Sequence, residues 1–312
     1  MKDFSLLSDL CKIHAPSGNE SALNHFIVNY VEKNSFAWKC QPSIYSDNRM
    51  HDCVLLGFGK NPKTAIYAHM DSVGYTVGHK KKLIPIGTPH APNGTELVGE
   101  DSQGSICCTL HSTTETESNT KQCTYTYHRN IDPGTTLTYK PYFEENDTQI
   151  KANNLDNRVG IWVALKLAET LENGVIIFSC YEEHGGGSVP FLQRFIYNHC
   201  HIRQALIADI TWVTEDIHEG KGCAISARDS HIPRKTYVDR ILNIAKRAHI
   251  PFQIEVERSG GSDGSALQQT PYAVDWCFVG APEYNPHEPI ETINKKDIHS
   301  MLQLYNALMK EL

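Results

Sequence analysis

Residues 157–187 read NRVGIWVALKLAETLENGVIIFSCYEEHGGG, a helix pattern followed directly by a strand pattern. The segment from Asn157 to about Leu171 is strongly apolar and long enough to form a buried helix. Residues 175–180 form a short apolar run rich in β-branched side chains, which predicts a buried strand. The glycines at 185–187 predict a turn that leads into another helix. Helix, strand and helix in succession are typical of an α/β fold.

The same alternation continues on both sides of this stretch. Buried strands are predicted at residues 64–68, 205–208 and 273–279, and a further strand at 54–58. A helix is predicted from residue 238 to about 248. The C-terminal segment has one apolar helical face, formed by Ile298, Met301, Leu302, Tyr305, Leu308, Met309 and Leu312.

The N-terminal segment, residues 4–33, has the pattern of two helices around the turn Ala15-Pro16-Ser17-Gly18. Ser17 is a candidate N-cap of the second helix, with Glu20 three residues later at the capping-box position. We therefore expect Ser17 and Glu20 to satisfy the first N–H groups of that helix.

The segment from about Gly74 to Asp147 has a different amino-acid composition. It is dense in Thr, Ser and Tyr, and it contains the turn sequence Asp132-Pro133-Gly134. Alternating side chains separated by turn residues predict short antiparallel strands. We therefore predict an α/β domain made of residues 1–73 and 148–312, interrupted by a small all-β domain at 74–147.

Composition limits the class of protein. The chain has 312 residues, 40% of them hydrophobic and 21% charged, which is ordinary for a soluble globular protein with a substantial core. A formal net charge of -7 argues weakly against nucleic acid as a partner. No run reaches the roughly 20 apolar residues of a membrane span, so no membrane partner is predicted.

The cysteines and the N-terminal segment bear on location. Ten cysteines are scattered, several of them in apolar runs such as HDCVLLGF and VIIFSCY, and no Cys-x-x-Cys occurs. Free, buried thiols in a reducing compartment explain this usage best. The first residues lack the long apolar core of a signal peptide. A cytoplasmic location is therefore predicted.

Most of the candidate functional residues follow predicted strands or open a predicted helix. Open α/β sheets place their ligand sites at the carboxyl ends of the strands. Carboxylates and imidazoles gathered there can hold two divalent metals if one carboxylate bridges them, and such a pair activates water for hydrolysis. The candidates are His69, Asp71, Asp156, Glu182, Glu183, Asp209 and His287.

Each of these residues has a simpler explanation when taken alone. His69 could be an ordinary histidine at a strand end, Asp156 a helix N-cap and Asp209 a turn residue. It is their joint occurrence at equivalent places in the pattern that favours a metal centre.

The candidate residues lie in successive segments of the chain: AHMDSVGY, NNLDNRVG, YEEHGGG, ADITWVTED and HEPIETI, accompanied by PSGNE, GKG and SGGSDGS. These segments resemble the motifs of the M42 family of metallo-aminopeptidases, whose clan also holds the M20 and M28 peptidases. The insert also interrupts the chain between Asp71 and Asp156, as in M42, whereas M20 enzymes insert theirs after the pair that corresponds to Glu182-Glu183. Two positions depart from the usual M42 pattern: Ser72 stands where Glu is common, and Asn157 where a second Asp is common.

The resemblance implies a role for each candidate. His69 would bind one metal and His287 the other, with Asp156 bridging the two. Glu183 and Asp209 would each complete the ligands of one metal. Asp71 would orient the His69 imidazole, and Glu182 would be the general base that takes a proton from the attacking water.

The resemblance also implies a fold, cofactors and an assembly. The fold would be a mixed-sheet, zinc-peptidase-like, three-layer α/β domain carrying a PDZ-like or barrel insert that serves in dimerisation or as a lid. The cofactors would be two divalent ions per chain, with zinc favoured and cobalt or manganese as alternatives. Substrates would be short peptides, and the chain would form a homo-oligomer, with a dodecamer favoured over a dimer.

Two other functions stay open at this point. Another di-metal amide hydrolase, such as a deacylase or a carboxypeptidase, could use the same metal residues. A non-catalytic assembly protein on this fold is the alternative from a different class. The presence of Glu182 and all five proposed ligands argues against the second.

Overall fold

The computed structural model of the protein describes residues 3–114 and 121–312. Its helices are α1 Ser5–Cys11, α2 Ser21–Asn34, α3 Leu155–Ala168, α4 Val189–Cys200, α5 Lys235–Arg247, α6 Asp263–Gln268 and α7 Lys295–Glu311. Its strands are β1 Ser43–Tyr45, β2 Val54–Phe58, β3 Ala65–His69, β4 Gly74–Val77, β5 Lys82–Ile86, β6 Glu96–Asp101, β7 Gly104–Thr114, β8 Lys121–Thr126, β9 Thr136–Tyr139, β10 Phe143–Glu145, β11 Gln149–Ala152, β12 Gly174–Ser179, β13 Gln204–Trp212, β14 Cys223–Arg228, β15 Phe252–Val256, β16 Asp275–Tyr284 and β17 Glu291–Asn294.

The larger sheet is mixed. Nine strands run in the order β1-β2-β12-β3-β13-β16-β17-β11-β10, and β14 joins β16 and carries β15. The central strands β12, β3, β13 and β16 are parallel to one another. Their carboxyl ends therefore lie along the same edge of the sheet, which is where parallel sheets place ligand sites.

Burial explains why these central strands were recognisable as continuous apolar runs. Every residue of β3 and of β12 is buried. Strands of a parallel sheet are covered on both faces, so both alternating sets of side chains are apolar. Helix α3 is buried along almost its whole length, because it packs against β3 and β13 as well as against α1 and α7.

The second sheet is a closed barrel of six strands in the order β4-β5-β8-β7-β6-β9. The barrel has its own core, separate from that of the large sheet. The barrel core includes Tyr75, Leu97, Leu110, Leu137 and Tyr139. The predicted fold class, an α/β domain with a mixed sheet and an inserted all-β unit, is confirmed.

The barrel strands occupy residues 74–139 of the described chain. Strand β10 lies within the predicted insert, 74–147, yet it pairs with β11 in the large sheet. The chain therefore re-enters the α/β sheet a few residues before the predicted boundary. The assignment of residues 1–73 and 148–312 to one domain stays a prediction.

The structure corrects the predicted cap of the second helix. Helix α2 begins at Ser21, with Glu20 at the N-cap and no side-chain cap. The Ser17 hydroxyl instead donates to Asp71 Oδ2 at 2.6 Å, and Glu20 Oε1 accepts from the N–H of Gly18. The capping-box prediction was wrong because the helix begins four residues after Ser17, and neither the Ser17 nor the Glu20 side chain caps it.

The predicted end of the strand before Asp209 was also wrong. Strand β13 continues through this residue to Trp212, paired with β16 along its whole length. Asp209 thus projects from the strand itself and not from the loop after it. Among the residues that the structure describes, no helix has both the length and the apolar character needed to cross a membrane.

Candidate metal centre

Five parts of the fold bring the predicted ligands to one edge of the large sheet. His69 is the last residue of β3, and Glu183 lies in the turn after β12, the strand beside it. Asp209 projects from β13 on the other side of β3. Asp156 lies in the first turn of α3, and His287 lies in the loop between β16 and β17.

The ligand atoms form two groups that share Asp156. On one side, His69 Nε2 lies 3.0 Å from Asp156 Oδ1 and 3.5 Å from Asp209 Oδ1. On the other, His287 Nε2 lies 3.3 Å from Asp156 Oδ2 and 3.3 Å from Glu183 Oε2. Within each group the possible ligand atoms lie within 4.8 Å of one another. The two oxygens of Asp156 therefore face two different imidazoles.

This donor set fits two divalent cations. It offers carboxylate oxygens and imidazole nitrogens, the ligands that zinc and similar ions take in proteins. Glu183 Oε1 is buried and accepts no hydrogen bond from any described residue. A buried carboxylate oxygen without a donor is costly, and a bound cation would remove that cost.

Burial and mutual charge set the protonation of the cluster. Burial raises the pKa of both Glu182 and Glu183 well above the usual range, and neighbouring carboxylates raise it further. Burial lowers the pKa of His69, but Asp209 and Asp156 outweigh it, so that pKa stays well above its usual value. Concentrated negative charge of this kind is what a divalent cation compensates.

Asp71 lies beside this cluster, fully buried, and contacts several of its parts. Its Oδ1 is 3.5 Å from His69 Nδ1, and its backbone carbonyl oxygen is 3.2 Å from the same nitrogen, so the orienting role of this residue stays a prediction. The same carboxylate also accepts from the backbone N–H groups of Glu182 and Glu183, each at 3.0 Å. Asp71 therefore holds the turn that carries the Glu pair.

Glu291 is a residue of this site that the sequence analysis missed. Its Oε2 accepts from the backbone N–H of Leu155 at 2.5 Å and of Asp156 at 3.4 Å. Its Oε1 accepts from the backbone N–H of His287 at 3.0 Å. One buried carboxylate thus accepts hydrogen bonds from the backbone at both Asp156 and His287. The only signal for it in the sequence was its place within the HEPIETI segment.

Thr88, from the segment that links β5 to β6, was missed as well. Its hydroxyl lies 2.9 Å from His287 Nδ1, and its carbonyl oxygen lies 3.2 Å from the same nitrogen. Tyr139, in the barrel, donates its hydroxyl to the carbonyl of His287 at 2.8 Å. The predicted insert therefore contacts a candidate ligand directly.

One of the two departures from the M42 pattern, Asn157, has a local explanation. The Asn157 amide donates to the carbonyl of Ala208 at 2.8 Å and accepts from the N–H of Gly160 at 2.9 Å. An aspartate could not make the first of these bonds, because an ionised carboxylate only accepts. Ser72 is buried, and its backbone bonds to Ala15 and Ser17 in the N-terminal segment.

A cavity of about 470 Å³ opens onto the candidate ligands. Glu182 lines it beside Asp156, Glu183 and Asp209. The side chain of Glu182 forms neither a hydrogen bond nor an ion pair with a described residue, so it is free to meet a molecule in the cavity. The predicted base and the predicted ligands therefore face one space.

Comparison with known proteins places the chain in a family. The M42 glutamyl aminopeptidase family matches residues 118–304. A relative from Acetivibrio thermocellus, provisionally named an aminopeptidase, is 24% identical and is matched over 96% of each chain.

Two solved structures share the fold. An aminopeptidase from the archaeon Desulfurococcus kamchatkensis superposes with a TM-score of 0.84 at 20% identity, over 99% of this chain and 94% of its own. The Pyrococcus horikoshii TET1 peptidase, which can assemble into a tetrahedron or a large octahedral shell, gives 0.82 at 20% identity over 99% of both chains. With its matched family, its fold and its candidate ligands, this chain belongs to the M42 glutamyl aminopeptidase family and is a metal-dependent aminopeptidase.

Proposed function

We propose that the protein removes N-terminal residues from short peptides at a two-metal centre held by His69, Asp156, Glu183, Asp209 and His287. The observation that carries this proposal is the position of Asp156, whose two oxygens face two separate ligand groups. Two divalent ions held by these residues, with zinc favoured and cobalt or manganese as alternatives, would polarise the scissile carbonyl and lower the pKa of the attacking water.

Glu182 is the general base in this proposal. Its side chain lines the cavity and is free of competing partners among the described residues. It takes a proton from the attacking water and delivers it to the leaving amine. Proton transfer by a positioned group of this kind contributes about 10²–10⁴-fold to the rate. Asp71 positions this base through the backbone N–H of Glu182.

We also propose a homo-oligomer, with a dodecamer favoured and a dimer as the alternative. The shells formed by the Pyrococcus horikoshii TET1 peptidase support this, since the fold is shared. Large exposed apolar side chains fit a buried interface: Ile84 in the barrel is 57% exposed and Phe36 is 76% exposed. In such an assembly the insert, residues 74–147, would serve as the dimerisation or lid domain.

The proposed cytoplasmic location rests on cysteine chemistry. All ten cysteines are described; none forms a disulfide, and most are buried. Buried cysteines without disulfides are typical of proteins in a reducing compartment.

The test of the proposed function compares free and N-blocked peptides after zinc, cobalt or manganese is added to the purified protein. We expect release of the first residue from free peptides only. Glu182→Gln should lower kcat by about 10²-fold or more and keep two bound metals per chain. Glu144→Gln serves as the control, because Glu144 and Glu145 form another Glu-Glu pair, which is exposed on β10. Cleavage of N-blocked substrates would instead indicate a deacylase or a carboxypeptidase.

A further inference from the structure

The active-site cavity continues beyond the candidate ligands to a second set of acidic residues. Asp229, Glu255 and Glu257 line it together with Glu182 and Asp209, and we call these three the distal carboxylates. Asp229 follows the end of β14, and Glu255 lies on β15 with Glu257 just after it. None of the three belongs to the proposed metal centre.

Strand β13 connects the distal carboxylates to that centre. Thr211 lies two residues after Asp209, and residues two apart on a strand point to the same face. The Thr211 hydroxyl donates to Glu255. Two residues of strand span about 7 Å. Glu255 is thus held roughly one extended side chain away from the proposed metal ligand Asp209.

No described cationic side chain forms an ion pair with the distal carboxylates. Asp229 is only 6% exposed and Glu255 only 5% exposed, yet neither they nor Glu257 form an ion pair with any described Lys, Arg or His. Asp229 Oδ1 accepts from the N–H of His231, whereas its Oδ2 accepts no hydrogen bond from a described residue. No described lysine or arginine lines the cavity.

Other acidic residues of the protein show what is missing here. The buried carboxylate of Asp101 is held by the guanidinium of Arg129, and the partly buried Asp275 is paired with Arg234. Burying a carboxylate without an ion-pair partner is costly. Burial raises the pKa of Asp229 and of Glu255, although the nearby charges of His231 and Arg228 partly offset this rise at Asp229. A cation brought in by the substrate would supply the countercharge.

We propose that the distal carboxylates form a subsite for a cationic side chain, so that the enzyme prefers peptides beginning with lysine or arginine. This inference rests on the proposed function, because it names the substrate of the same site. It departs from the glutamyl specificity in the family's name, since three carboxylates repel an acidic side chain.

The distance from the proposed metals indicates that the distal carboxylates bind the first side chain of the substrate and not its α-amine. When the scissile carbonyl lies at the proposed metals, the α-amine is held close to them by the single Cα between the two groups. A lysine ammonium lies at the end of a flexible four-carbon stem and can extend along β13. The distal carboxylates are therefore within reach of a basic side chain and beyond the α-amine.

The experiment has a kinetic and a binding arm. Metal-loaded protein is assayed with lysyl, arginyl, leucyl and glutamyl 4-nitroanilides, and lysine, leucine and glutamate are titrated into it by calorimetry. We expect kcat/KM for the lysyl and arginyl reporters to exceed that for leucyl by about tenfold or more, as one charge-assisted contact gives. Lysine should bind tighter than leucine by a similar factor, with glutamate weakest.

Variants assign the preference to the distal carboxylates. Glu257→Gln and Glu255→Gln should each lower the ratio of lysyl to leucyl kcat/KM about tenfold. The glutamine amide can still accept from Thr211, so the Glu255 variant keeps its local structure. Glu32→Gln, an exposed change on α2, is the matched control.

The outcomes separate this inference from the proposed function. Equal losses for lysyl and leucyl reporters, or a wild-type protein without cation preference in either arm, would overturn the subsite. Selective binding of lysine by a protein that hydrolyses none of the reporters would support the subsite and refute the proposed aminopeptidase chemistry.

Discussion

Glu291→Gln tests how the two halves of the metal centre are joined. The wild-type carboxylate accepts three backbone N–H groups, two at the start of α3 and one at His287. Glutamine has the same shape but only one acceptor oxygen. If that oxygen faces Leu155 and Asp156, the amide NH₂ faces the N–H of His287, donor against donor.

The size of the effect follows from that one lost bond. A buried donor left without its acceptor costs about 1–3 kcal/mol. At about 1.4 kcal/mol per factor of ten, this is roughly a 5–150-fold change in an equilibrium constant. The cost falls on His287, so we expect weaker binding of the metal that we propose for His287 and Glu183. The metal that we propose for His69 and Asp209 should be nearly unaffected.

The assay is a competition between the protein and a chelator of known affinity, read by metal content per chain and by calorimetry. Glu288→Gln is the matched control, because it lies in the same loop and its side chain forms no hydrogen bond or ion pair with a described residue. Unfolding followed by circular dichroism checks that the fold is retained. Equal weakening of both metals, or unchanged affinity for both, would refute the reasoning.

Three further predictions concern the metal bridge, pH and assembly. Asp156→Ala should leave the purified protein with neither metal, as measured by elemental analysis, because its two oxygens serve both groups; full metal content would contradict the bridge. Burial raises the pKa of Glu20 from 4.5 to about 7, so its ionisation costs stability as pH rises through that range. Glu20→Gln cannot ionise, and its melting temperature should therefore rise relative to wild type between about pH 5 and pH 8; a constant difference would show that Glu20 does not titrate there. Light scattering on the purified protein should give a multiple of the 35.1 kDa chain mass, and a monodisperse single-chain mass would rule out the proposed assembly.

Much of the fold was predictable because its central elements are local patterns. Strand β3, predicted at 64–68, and β12, predicted at 175–180, each lie within one residue of their predicted positions. Both are buried on two faces, so each forms an unbroken apolar run in the sequence. The α3 helix was equally clear, because all but one of its residues are buried.

The positions of the candidate ligands were predictable, because α/β sheets place ligand sites at the carboxyl ends of their strands, and the strands could be recognised in the sequence. The exact strand end at Asp209 was not, because β13 is extended to Trp212 by its pairing with β16. The end of such a strand depends on its neighbour and not on its own composition.

The sequence by itself determined the alternation of helices and strands, the β-rich insert and the set of residues from which a metal centre could be built. Tertiary structure alone decided which of those residues meet. It placed Asp156 between His69 and His287 and brought Thr88 to His287. It also directed the hydroxyl of Ser17, which was predicted to cap a helix, to Asp71. The physical reason is distance along the chain: apolar periodicity records whether a residue is buried, but not which remote residue it touches.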